Sequence, residues 1–182
     1  MKINRLLTAS ALFLAFASGA HAASSTGTVG VTLTLTNGCM INNAPSLTGI
    51  NFGTLDFGTQ AATFGVVTKQ ASSFTVKCNT NDYTVKVMRS ENGKPASVAG
   101  ITGNPARYVV NTADPTQGVA YKLFDNSAMS KEIGNMGDAG TLTAISSADG
   151  TNTYALWGKI EGNNTLVSAG TYTDTVQISV DY

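Results

Sequence analysis

The sequence predicts an all-β fold, an antiparallel sandwich or barrel, and three observations carry that reading. Apolar and polar residues alternate at period two in several separate stretches. The polar residues are mostly Thr, Ser, Asn and Gly rather than Glu and Lys, a composition that suits strands and turns better than helices. Turn signals stand between the alternating stretches: Asn37-Gly38, Asn92-Gly93, Asp149-Gly150 and Gly162-Asn163-Asn164. The length of 182 residues suits one domain, and no internal repeat or second domain is evident. With 42% hydrophobic and only 12% charged residues, the chain is too apolar for wholesale disorder.

Residues 1–22 read as a secretory signal peptide. Lys2 and Arg5 give a positive start, an apolar run spans 11–17, and Ala20-His21-Ala22 is a small-x-small cleavage site. The alternative, an uncleaved anchor, is disfavoured because the apolar run is too short to span a bilayer. Residues 28–36 then place Val29, Val31, Leu33 and Leu35 on one face and only Thr and Gly on the other. Phe74-Thr75-Val76-Lys77-Cys78 alternates next, followed after a polar turn by Tyr83-Thr84-Val85-Lys86-Val87. Further strands are expected at 119–124 and 154–160. Residues 175–182 close the sequence with Val176, Ile178, Val180 and Tyr182 in register. Residues 90–106 and 128–150 are less regular and read as long loops or irregular edge strands.

Charge and residue type exclude several functions. Lys plus Arg and Asp plus Glu both number 11, so there is no basic excess to hold nucleic acid. Cleavage after Ala22 would remove two basic residues, no acidic one, and His21, the single histidine. Ser-His-Asp and Cys-His catalysis and His-liganded metal sites are then ruled out. No catalytic residue, metal ligand or cofactor is therefore expected. An enzyme without histidine would need paired carboxylates. The candidates Asp125, Glu132, Asp138 and Glu161 are scattered over predicted turns and read as solvated loop charge. Asp149-Gly150-Thr151-Asn152 lacks the later acidic ligand of a calcium loop and reads as a turn. Export makes a disulfide the default for the two cysteines, Cys39 and Cys78. Closing a loop of that length stabilises a fold by roughly 4 kcal/mol on the chain-entropy model.

Two strands at the ends stand apart. Residues 23–36 form a strand with one apolar face directly after the cleavage site, where terminal segments usually fray unless tied down. It is either the first strand of its own sandwich or a strand for another molecule's sheet. The last strand alternates up to the final residue, with no later strand to cover it, and an open edge invites pairing with another chain.

The residues also carry a family resemblance. The strand Thr26-Gly27-Thr28-Val29-Gly30-Val31-Thr32-Leu33 stands ahead of Asn37-Gly38-Cys39. Phe52-Gly53-Thr54-Leu55-Asp56-Phe57-Gly58 and Thr75-Val76-Lys77-Cys78 follow. Tyr121-Lys122-Leu123-Phe124-Asp125, Trp157-Gly158-Lys159-Ile160 and the alternating end from Gly170 to Tyr182 complete the series. In this order they resemble subunits of archaic, Csu-type chaperone–usher pili, whose domain is also called spore-coat protein U-like. The resemblance implies an incomplete immunoglobulin-like antiparallel sandwich lacking its last strand, over residues 37–182, with residues 23–36 as a donor strand. It implies polymerisation by strand addition, in which main-chain bonds give affinity and alternate side chains give specificity.

On that reading Val29, Val31, Leu33 and Leu35 plug a neighbour's groove. Val176, Ile178, Val180 and Tyr182 belong to the strand that receives them, and Cys39 and Cys78 pin an early strand to a second one. The implied partners are copies of the chain itself, a periplasmic chaperone, an outer-membrane usher, and tip adhesin or adaptor subunits. The implied location is a cell-surface pilus reached through the periplasm, serving adhesion and biofilm formation. A major stalk subunit is favoured. The alternatives are a minor or adaptor subunit and a self-contained secreted carbohydrate-binding module.

Overall fold

The computed structural model describes residues 25–45, 48–100, 106–135, 140–162 and 165–182. The signal peptide expected at 1–22, the first two residues of the 23–36 segment, Asp138 and the Asn163-Asn164 turn lie outside the described residues. The chain falls into two units, Met1–Leu35 and Thr36–Tyr182. In the first unit, residues 25–35 form no ladder and are exposed.

The described residues of the second unit form strands and no helix. In chain order these are β1 (Cys39–Ile41), β2 (Val67–Gln70), β3 (Phe74–Cys78), β4 (Thr84–Ser90), β5 (Ser97–Ala99), β6 (Arg107–Asn111) and β7 (Gln117–Phe124). They continue as β8 (Glu132–Ile133), β9 (Gly140–Thr141), β10 (Ser146–Ala148), β11 (Thr151–Tyr154), β12 (Trp157–Ile160), β13 (Tyr172–Thr173) and β14 (Val176–Asp181). One sheet has the order β1-β3-β11-β10 and a second has β13-β6-β7-β12-β2, with β5 and β8 also pairing β7. The third is β14-β4-β9. The pairings are antiparallel except β5 with β7, which is parallel.

The alternation in the sequence becomes the core. Phe74 and Val76 of β3 and Val85 and Val87 of β4 are almost wholly buried, with intervening residues turned outward. Phe74 stacks on Tyr154 of β11 and meets Phe52 edge-on. Strand β7 is buried on both faces. Val119, Tyr121 and Leu123 join the main core, while Ala120 packs with Ala106 and Tyr108 in a smaller cluster.

The structure refines several expectations. Residues 154–160, expected as one strand, split into β11 and β12, which belong to different sheets. The break is the buried pair Ala155 and Leu156, where the chain crosses between sheets. The irregular stretch 90–106 contributes the short strand β5, and 128–150 contributes β8, β9 and β10. Strands of two or three residues leave too little sequence for alternation to show. Asp149-Gly150 is indeed a turn: both residues have positive φ, as the two-residue hairpin between β10 and β11 requires. Asn37-Gly38 is not a turn and leads straight into β1.

Candidate functional site: an apolar groove along an open strand edge

Strand β14 pairs with β4 from Val176↔Ser90 to Asp181↔Thr84, with one register shift after Val176. It is the edge of its sheet, so among the described residues no strand pairs its other side. Strand β1 is likewise an edge, paired among the described strands with β3 alone. A groove of about 1510 Å³ runs along these edges. Cys39 and Ile41 of β1 line it, together with Val176, Ile178 and Val180 of β14 and the adjoining Tyr182. Core residues Val119, Tyr121, Leu123, Leu156 and Ile160 contribute its deeper lining.

The extended segment 48–62 also lines the groove, through Ile50, Phe52, Leu55 and Phe57. It forms no ladder of its own. Its placement depends on Gly158 of β12, where a Cβ would collide with the Leu55 and Phe57 side chains. The missing side chain lets these two pack onto the sheet, where Phe57 meets Tyr121 edge-on at 5.9 Å. Asp56 Oδ1 accepts from Gly58 N at 2.7 Å and tightens the end of the segment.

The charge of the groove is simple. Among the described residues, Asp56 and Asp174 line it, and no Lys, Arg, His or Glu does. Asp174 Oδ2 accepts from the Tyr121 hydroxyl at 2.5 Å, and its Oδ1 accepts from Thr175 N at 2.8 Å. Burial pushes the Tyr121 hydroxyl well above its usual pKa, and the nearby Asp174 adds to the rise. Behind this pair lies Arg107, buried on β6, whose guanidinium donates to Met88 O, Ser90 Oγ and Gly134 O. Burial lowers its pKa, opposed by Tyr121 and Asp174. Its Nε is buried without a hydrogen-bond partner. The network ties β4, β6, β7 and the entry to β14 together from beneath the groove.

The four acceptor residues expected from the sequence, Val176, Ile178, Val180 and Tyr182, all line this one groove. Cys39 and Cys78 form a disulfide between directly opposed residues of β1 and β3. Val29, Val31, Leu33 and Leu35 are 88%, 89%, 81% and 78% exposed, so burial does not account for their apolar character. The 28–36 alternation does not form a ladder in the isolated chain, because a strand needs a neighbour for its backbone groups.

Residues 25–179 match the family model of the Spore Coat Protein U domain. The chain belongs to that family. No curated protein matches this Spore Coat Protein U domain. It is similar to a chain of a crystal structure of Acinetobacter baumannii, the CsuC–CsuE chaperone–tip adhesion subunit pre-assembly complex from archaic chaperone–usher Csu pili. The identity is 24% and the TM-score 0.46, over 82% of this chain and 40% of that one. The domain therefore spans about two-fifths of that chain's length.

Among the described residues, the carboxylates weighed for catalysis are held in ion pairs and hydrogen bonds. Asp125 is buried rather than solvated, and takes Lys131 Nζ at 2.6 Å, Asn126 Nδ2 and Thr143 Oγ1. Glu132 and Glu161 flank Lys122, and Glu161 also pairs Lys159 at 2.9 Å. Sequence reasoning missed the Arg107 network and the lining role of 48–62. A lone arginine in an otherwise apolar strand, Arg107-Tyr108-Val109-Val110, was the available signal for the first.

Proposed function

We propose that this domain is a structural subunit, favoured as the major stalk subunit, of an archaic chaperone–usher pilus. Each copy takes the 23–36 segment of the next copy into its groove. The groove beside the unpaired edge of β14 carries this reading, because the chain also holds a segment of matching chemistry. Val29, Val31, Leu33 and Leu35 are exposed, spaced at two, and flanked only by uncharged residues between 25 and 36. A strand docked beside β14 would satisfy backbone groups on that edge and bury these side chains, roughly 1.5–3 kcal/mol gross for each. The joint is head to tail and does not close, so copies add into a fibre.

Before assembly the same groove needs a temporary strand, which a periplasmic chaperone would lend. An outer-membrane usher would host the exchange, and tip or adaptor subunits would end the fibre. The protein would act at the cell surface, in adhesion and biofilm formation. This role requires no catalytic residue, cofactor or nucleic acid. Moving the segment tests it. Residues 23–36 are deleted and a copy is appended through a flexible linker after Tyr182. The rearranged protein is expected to be a stable monomer, while the parent forms fibres or requires a chaperone. A rearranged protein that melts no higher than the simple deletion would overturn the proposal.

A further inference from the structure

Asn79 makes an unusual set of bonds for an exposed side chain. Its Oδ1 accepts from Gly38 N at 2.9 Å and its Nδ2 donates to Thr36 O at 2.9 Å. Its backbone N donates to Gly38 O at 3.1 Å. The Cys39–Cys78 disulfide sits one residue away on both strands. Beyond Asn79 the chain bends away and offers no further ladder partner. The amide side chain thus stands in for a peptide group and carries the β1–β3 ladder past its end, to residue 36. Asn79 is exposed, so water could serve its amide equally well, and burial does not force these bonds. Their effect is to hold residues 36–38 in place.

The geometry points to Asn79 as the positioning residue of the joint between linked subunits. The inference rests on the strand-exchange reading above. The last apolar plug is Leu35, and the last residue held to the domain is Thr36. No free residue then separates the docked strand from the clamp. A joint of that length is stiff, whereas releasing 36–38 would add flexible links, one of them the glycine Gly38. Asn79 would therefore set fibre stiffness without touching the groove.

Two variants separate the bonds. Asn79→Asp keeps the acceptor for Gly38 N and loses the donor to Thr36 O, while Asn79→Ala loses both. Fibres of wild type and both variants are imaged, and persistence length is read from their contours. Asn79→Ala is expected to shorten it by about twofold or more, with Asn79→Asp between. Melting temperature should stay within about 2 °C, because the disulfide and β1–β3 ladder remain. Amide exchange at Gly38 should quicken in Asn79→Ala and stay slow in Asn79→Asp.

Equal persistence lengths in all three proteins would overturn the clamp and leave strand exchange standing. Folded variants that no longer polymerise would also overturn it, by placing Asn79 in docking itself. A wild-type chain that never polymerises defeats the strand-exchange reading, and this proposal falls with it.

Discussion

Residues 28–36 and strand β14 carry the same period-two pattern and meet different fates. Both alternate β-branched or leucine side chains with small polar ones. In β14 the apolar face packs against the core and one backbone edge pairs with β4. In 28–36 the apolar face is exposed and, among the described residues, the backbone enters no ladder. Alternation therefore reports that a segment can be a strand, not which sheet it enters. What distinguishes the two is location: β14 lies against a folded core, while the other segment precedes the domain.

Substitution should separate the regions most sharply on assembly. Leu33→Asp places a carboxylate where docking would bury it without a partner, and should reduce polymer formation by on the order of 100-fold. Its effect on the melting of unassembled subunits should be near zero, since Leu33 is exposed in the single chain. Ile178→Asp on β14 should reduce assembly comparably and also lower the melting temperature, because Ile178 packs against the core. Equal effects of both variants on melting would break the comparison. Polymer yield by sedimentation, beside a thermal melt, checks both.

A second expectation concerns the scaffold of the groove alone. Replacing both Cys39 and Cys78 by Ser should cost about 2–4 kcal/mol, read from chemical denaturation under oxidising conditions. Gly158→Val should cost less, about 1–3 kcal/mol, by pushing Leu55 and Phe57 off β12. It should also weaken docking, since those side chains line the groove. An unchanged affinity for the docked strand would show that the 48–62 segment is mere covering.

The smallest effect is expected from pH. Asp181 is held below its usual pKa by its hydrogen bond to Lys86, 2.9 Å away across the β14–β4 ladder. A depressed carboxylate pKa stabilises the fold above the unfolded value and loses that contribution as pH falls through the folded value. Acidification below the ordinary carboxylate range should therefore loosen the end of β14 slightly. Both groups are substantially exposed, so the change should be small and salt-sensitive. Exchange rates at Val180 and Asp181 between neutral and acid pH, in wild type and Asp181→Asn, check it.

Much of the fold was legible because burial imposes a period. Val76, Val85 and Val87 are inside for the reason their spacing suggested. The period-two spacing of Val176, Ile178, Val180 and Tyr182, which line the groove, was readable on the same grounds, while the Cys39–Cys78 disulfide was readable from export. What was not legible depends on tertiary contact. The split at Ala155-Leu156 follows from two sheets competing for one stretch. The lining role of 48–62 follows from space left by Gly158, a residue that says nothing in isolation. Asp125 looked like loop charge, yet Lys131, Thr143 and Asn126 make its burial tolerable. Asn79 signals a turn in sequence, and only its bonds to residues 36 and 38 show a second use.

The central claim is that the groove accepts residues 28–36 of another copy beside β14. The most direct measurement is refolding of the 36–182 domain with a peptide of residues 25–36, followed by amide exchange along β14. The account expects slowed exchange at Val176–Asp181 and a raised melting temperature. A peptide carrying Asp in place of Val31 and Leu33 should produce neither. Exchange along β14 that neither peptide alters would contradict the account.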